Sequence, residues 1–258
     1  MYFAVSLRDE PVRKVFRYSF LRNRVVVWLR ARYEPPFFIL ATKMSEYMKI
    51  VAALTDPADA SRAQDLGADI IELRFDLMEG DPLACVRICR DASILPVIGT
   101  IRSAHEGGQF FGDDAAWLEK IGPVIPFVDY IDVEERFASC ALLIKEAGRA
   151  IIASHHSGEM LSLPELFTRE RDLRKYGDIV KIIVTPDNEE DILELIAFTH
   201  AAKKPLCTGV MGAKFRYARA ILPLFGSLLV YCHTGTRTAE GQYSVQEFIS
   251  LMSLLKKE

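Results

Sequence analysis

Residues 49–258 predict a parallel (β/α)8 barrel, and residues 1–48 a short extension ahead of it. Three observations carry that prediction. Eight short runs rich in Val, Ile and Leu alternate with helical stretches, so each strand returns through a crossover. Most runs are nearly continuously apolar, as strands covered on both faces are. Eight such units in about 210 residues match the small end of the closed barrel's size range. An open doubly wound sheet is the rival arrangement, but no G-x-G-x-x-G follows the first run; Ala52-Ala53 and Asp56-Pro57 stand there instead.

In order, the predicted strands are KIVAAL (49–54), DIIELRF (69–75), PVIGTIR (96–102) and VDYIDVE (128–134), then AIIASHH (150–156), DIVKIIV (178–184), PLCTGVM (205–211) and SLLVYC (227–232). Helices are expected over PADASRAQDLG, PLACVRICRDA, DAAWLEKIG, ERFASCALLIKEAG and NEEDILELIAFTHAAKK, with SVQEFISLMSLLKKE closing the chain. Several open on Asp or Pro and end at Gly or Lys, the usual start and stop signals.

Composition narrows the function classes. The chain has 258 residues, 50% hydrophobic and 26% charged, with a net charge of −3, an ordinary globular balance. No run approaches 18 uncharged apolar residues, which argues against a membrane span. Cys85, Cys89, Cys140, Cys207 and Cys232 are scattered and never form a C-x-x-C pair, which favours a reducing, cytoplasmic compartment over a disulfide framework or zinc ribbon. Charge is uneven: residues 1–48 hold nine Lys or Arg against four Asp or Glu, and ten of the 26 aromatics, with no clear period. Such a stretch suits a membrane-surface segment, a nucleic-acid arm or a targeting peptide. The plainer reading is an appendage, disordered or lying upstream of the true start, since Met44 and Met48 stand just before the first strand.

Barrel enzymes build their sites at the C-terminal ends of the strands, so polar residues there carry the functional argument. The second run ends in Glu72 and Arg74, two apart and hence on one face; the third in Thr100 and Arg102, followed by His105 and Glu106. The fourth carries Asp132 and Glu134, the fifth His155 and His156, and the sixth Lys181 amid apolar neighbours. A buried lysine is costly unless paired or neutral. It reads either as a structural partner of Asp132 or Glu134, or as an amine of depressed pKa that forms a Schiff base. Only one of His155 and His156 can face the axis. Arg74, Arg102 and Arg219 suit an anionic substrate. No metal-ligand spacing, G-x-S-x-G elbow or P-loop is present.

The set E-x-R (72–74), I-R-S-A-H-E-G-G (101–108), S-H-H (154–156), D-I-V-K-I (178–182), Met211 to Arg219, F-G-S (225–227) and E-G-Q (240–242) resembles type I 3-dehydroquinate dehydratases. The resemblance runs in order over 49–258. It implies dehydration of 3-dehydroquinate to 3-dehydroshikimate in the shikimate pathway. Lys181 would condense with the substrate ketone, and His156 would act as general acid and base with His155 turned away. Arg219 would hold the carboxylate, Glu72, Arg74 and Arg102 would contact hydroxyls, and Thr238 and Gln242 would bind substrate, Gln242 from the closing loop. The family needs no metal and no dissociable cofactor, is frequently homodimeric, and implies neither a nucleic-acid nor a membrane partner.

Departures from its pattern are Ala53, Ala218 and Thr238 where serines are common, Phe215 in place of glycine, and the run SGEMLSLP after His156. Two other readings remain. A Schiff-base aldolase of sugar phosphates would want backbone amides after the seventh and eighth strands, where Lys214 and Phe215 stand. A non-catalytic barrel would bind a ligand and use the basic extension for attachment.

Overall fold

The computed structural model describes residues 15–21, 24–30 and 48–255. Strands β1 (Val15–Leu21) and β2 (Arg24–Arg30) form an antiparallel pair, with Phe16 opposite Leu29 and Phe20 opposite Val25. The sequence reading assigned no element to this stretch. The remaining calls on residues 1–48, an appendage or an upstream start, lie outside the described residues apart from this hairpin and Met48. The hairpin belongs to one compact unit and the barrel to another.

The barrel's strands are β3 (Lys49–Leu54), β4 (Ile70–Arg74), β5 (Val97–Thr100), β6 (Tyr130–Glu134), β7 (Ala150–His156), β8 (Ile179–Val184), β9 (Leu206–Val210) and β10 (Leu229–Cys232). All pair in parallel, in the order β10-β3-β4-β5-β6-β7-β8-β9. The ring closes between β9 and β10, where Leu228 N–H donates to Leu206 O at 2.8 Å and Thr208 N–H to Ser227 Oγ at 2.9 Å. The expected (β/α)8 barrel is therefore the fold, with each strand within about two residues of its predicted ends.

Helix starts follow local chemistry. Asp81 accepts from Ala84 N–H ahead of α2 (Pro82–Ala92), after the short α1 (Ala60–Asp65). Asp113 does the same for α3 (Asp114–Ile121). A turn kinked at Phe137 leads into α4 (Ala141–Glu146), so the predicted single helix over 135–148 is interrupted. Reciprocal capping boxes open α5 (Leu163–Leu173), through Ser162 and Glu165, and α6 (Glu189–Ala201), through Asn188 and Asp191. The short α7 (Ala218–Ile221) and α8 (Val245–Leu255) complete the ring.

Alternation along each strand sorts the residues into two compartments. One set, including Ile71, Leu73, Ile131, Ile151, Val180 and Val210, packs beneath the helices. The other set forms a separate lumenal cluster of Val51, Ile70, Ile98, Tyr130, Ile152, Ile179, Cys207 and Leu229. Two residues further along, the next inward positions are Glu72, Thr100, Asp132, Ser154, Lys181 and Tyr231. An apolar floor thus gives way to a polar layer at the C-terminal ends of the strands.

Candidate active site

The eight residues that the resemblance places in the site line one cavity of about 130 Å³: Glu72, Arg74, Arg102, His156, Lys181, Arg219, Thr238 and Gln242. Thr100, Glu106, Ile183, Met211 and Tyr231 complete much of its wall.

Lys181 stands midway along β8, in the polar layer. Its Nζ lies 2.6 Å from Asp132 Oδ2 and 3.3 Å from the Tyr231 hydroxyl, above the Tyr231 ring at 4.4 Å. Asp132 and Arg102 sit across the same layer. The Arg102 guanidinium donates to Asp132 Oδ1 at 2.7 Å, Glu134 Oε1 at 3.0 Å, Glu106 Oε2 at 2.9 Å and Ser154 Oγ at 3.0 Å. Ser154 in turn donates to Asp132 Oδ1 at 2.6 Å. Burial opposes ionisation of Asp132, yet the Arg102 and Lys181 cations overcome it and push its carboxyl down to about 2.

Two cations, Arg102 and Lys181, face four carboxyls in this layer: Glu72, Asp132, Glu134 and Glu106. Such an excess keeps one acid protonated. Glu106 is that acid, pushed up to about 8 by burial and by the charges of Glu134 and Asp132, against the pull of Arg102. Its Oε2 is 2.8 Å from His156 Nδ1. Burial, then the cations of Arg102, Lys181 and Arg74, push the imidazole of His156 well below 6.5, so it is neutral at pH 7. A neutral imidazole braced by a carboxyl at Nδ1 presents Nε2 as a base.

The loop after β5 explains how Glu106 gets there. The turn Ala104–Glu106 is followed by Gly107 at φ 82°, and a Cβ on Gly108 would lie 2.2 Å from Arg102 O. Only glycine allows that close return, which swings Glu106 back over the strand end. His155 is turned from the lumen, as strand alternation requires, although its Nδ1 comes within 3.8 Å of Glu106 Oε1.

The remaining residues ring the mouth. Arg74 is held by a two-point pair with Asp76 at 2.8 and 2.7 Å. Glu72 accepts from Thr100 Oγ1 at 2.8 Å. Arg219, just inside α7, donates to Glu240 O at 3.2 Å, while its Nε meets no partner. Thr238 N–H and Ala239 N–H both donate to Gln242 Oε1, so this pair shapes the loop after β10 as well as lining the cavity. A Cβ on Gly241 would strike Gly212 O at 2.3 Å, which brings that loop tight against the one after β9.

Sequence reasoning left Glu106 and Tyr231 out of the site and gave Asp132 only a structural role. Glu106 lies inside the quoted 101–108 motif, so a signal for it existed. Tyr231 sits in an apolar run and reads as core.

Comparison with known proteins decides the family. A family model described as type I 3-dehydroquinase matches residues 52–258. The chain belongs to the type I 3-dehydroquinase family. Relatives named 3-dehydroquinate dehydratase include one from Methanoregula boonei, 64% identical over 208 residues that cover 81% of this chain and 100% of the relative. Another, from Methanospirillum hungatei, is 38% identical and covers 81% of each chain. Among solved structures, the 3-dehydroquinate dehydratase of Geobacillus kaustophilus superposes with a TM-score of 0.75 at 25% identity, over 82% of this chain and 92% of that one. That of Aquifex aeolicus gives 0.72 at 27% identity, over 82% and 100%. The chain is thus a type I dehydroquinase with an acid-rich polar layer, and no helix among its described residues is long and apolar enough to cross a membrane.

The Glu106 carboxyl makes a measurable prediction. Its native pKa of about 8 stands above the ordinary 4.5, so its contribution to stability is whole below about 4.5 and is lost as pH rises through 8. Glu106→Gln cannot ionise. The Tm of the parent should therefore fall relative to that of Glu106→Gln between pH 5 and 8.5; parallel Tm profiles would refute the raised pKa.

Proposed function

We propose that this dehydroquinase converts 3-dehydroquinate to 3-dehydroshikimate through an imine on Lys181, with His156 moving the protons. The observation that carries the reading is a single buried amine and a neutral imidazole on the wall of one cavity, ringed by arginines. Lys181, freed of one proton, attacks the C3 ketone, and loss of water leaves an iminium. That cation draws electrons from C2, so the C2 proton becomes acidic enough for His156 Nε2 to take it. The protonated Glu106 accepts from Nδ1 and fixes the ring's orientation, so that Nε2 faces the substrate. The same proton then goes to the departing C1 hydroxyl, and hydrolysis of the imine releases product.

Arg219 is the substrate's carboxylate anchor in this reading. Its guanidinium, on the short helix after β9, donates to Glu240 O and keeps a buried Nε–H without a protein partner. Arg219→Ala should raise KM about 10- to 100-fold with a smaller change in kcat, since a charged hydrogen bond contributes roughly 1.5–3 kcal/mol. A raised kcat deficit with unchanged KM would remove this assignment. Arg74 and Glu72 contact ring hydroxyls, and Gln242 and Thr238 close the loop over them. The enzyme works in the cytoplasm as a homodimer, an assembly that light scattering on the eluted protein tests.

Borohydride trapping with 3-dehydroquinate, followed by peptide mapping, tests the whole reading. A reduced adduct on Lys181 is the expected result. Dehydration without an adduct would leave the reaction and discard the imine; neither would turn attention to sugar-phosphate aldol substrates.

A further inference from the structure

We propose that the Tyr231 hydroxyl is the proton shuttle for imine formation at Lys181, a role that rests on Lys181 being the nucleophile. Two polar groups stand against Nζ: Asp132 Oδ2 at 2.6 Å and the Tyr231 hydroxyl at 3.3 Å. They differ in what they can donate. Asp132 is ionised, held down to about 2, and can only accept. His156 makes its hydrogen bond to Glu106 and none to Nζ. Tyr231 has both a proton to give and lone pairs to receive one, and it lines the cavity beside Lys181.

Adding an amine to a ketone needs both actions at once. As the Nζ lone pair bonds to the carbonyl carbon, the C=O π pair moves onto oxygen, which must gain a proton while the new ammonium loses one. Tyr231 can pass its O–H proton to that oxygen and take the Nζ proton in its place. The phenol begins and ends neutral, so no phenolate is required. This fits a hydroxyl that burial, with Glu72, Cys207 and Asp132 nearby, keeps protonated well above the usual phenol range. In the second step Tyr231 gives its proton to the carbinolamine oxygen, which leaves as water, and takes up the proton that Lys181 released, so the nitrogen keeps its N–H and the iminium remains. The ring also fixes where the amine sits, because Nζ lies 4.4 Å from its centroid.

Tyr231→Phe keeps the ring and removes only the hydroxyl. In the full chain, mixed rapidly with 3-dehydroquinate and quenched with borohydride, the rate of adduct formation on Lys181 should fall at least about tenfold, in the range of general acid–base effects. Imine formation then limits turnover, so the isotope effect of substrate deuterated at C2 should shrink towards unity relative to the parent. A merely structural disturbance would slow C2 proton removal too and leave that isotope effect in place, which would overturn the proposal. An unchanged rate of adduct formation would overturn it equally. Absence of any adduct in the parent would instead show that the lysine reading had failed, and the shuttle with it.

Discussion

Replacing Lys181 by alanine is expected to lower kcat by at least about four decades, equivalent to roughly 5.5 kcal/mol of transition-state stabilisation. The size follows from what the amine does: without the iminium, the C2 proton is only as acidic as an ordinary carbon acid beside a ketone, and no other group in the cavity can form the electron sink. The variant also removes a cation from a layer where carboxyls already outnumber cations, leaving Asp132 with Arg102 and Ser154. Some loss of stability is therefore expected, because a buried charge has lost a partner. Lys181→Met, which keeps most of the stem, separates the two effects. It should fold with a two-state melt and still show no borohydride adduct and no enone absorbance. Near-normal turnover by either variant would end the imine mechanism.

The polar layer also shows what a sequence can and cannot disclose. Strand positions were legible because burial on both faces writes a run of Val, Ile and Leu, and because a period of two places Glu72 with Arg74 and Asp132 with Glu134 without any coordinates. Lys181 was legible for a stronger reason: an ammonium in such a run has to be explained. Glu106 was not assigned, since its place depends on a turn that folds back across Gly107 and Gly108, and spacing along the chain does not encode a return. Tyr231 was hidden by its own run, where a tyrosine packs as readily as it reacts. The kink at Phe137 and the β1–β2 pairing likewise depend on local backbone choices that composition averages away. Whether Lys181 pairs with an acid or acts as a nucleophile was posed as a choice; the structure gives the pairing, Nζ lying 2.6 Å from Asp132, and the nucleophilic role is the one proposed above.

His156→Ala is expected to reduce kcat about 10²- to 10⁴-fold, the usual contribution of a positioned general base, while leaving imine formation intact. Nothing in the contacts of Lys181 passes through His156: its Nζ is held by Asp132 and Tyr231, and His156 binds Glu106. The variant should therefore accumulate the substrate imine, and borohydride should trap an adduct with the mass of 3-dehydroquinate rather than of its dehydrated product. The parent imidazole is neutral from well below pH 6.5 upwards. Its activity should consequently persist to mildly acidic pH and not titrate with an ordinary histidine's midpoint near 6.5. On the alkaline side, ionisation of Glu106 near pH 8 strengthens the pull on the His156 Nδ1 proton and makes the imidazolium a weaker acid. Proton return to the leaving hydroxyl should then slow, giving a fall in kcat above pH 8 that Glu106→Gln abolishes. A His156→Ala variant that traps only dehydrated adduct at the parent's rate would assign the proton transfer to another group.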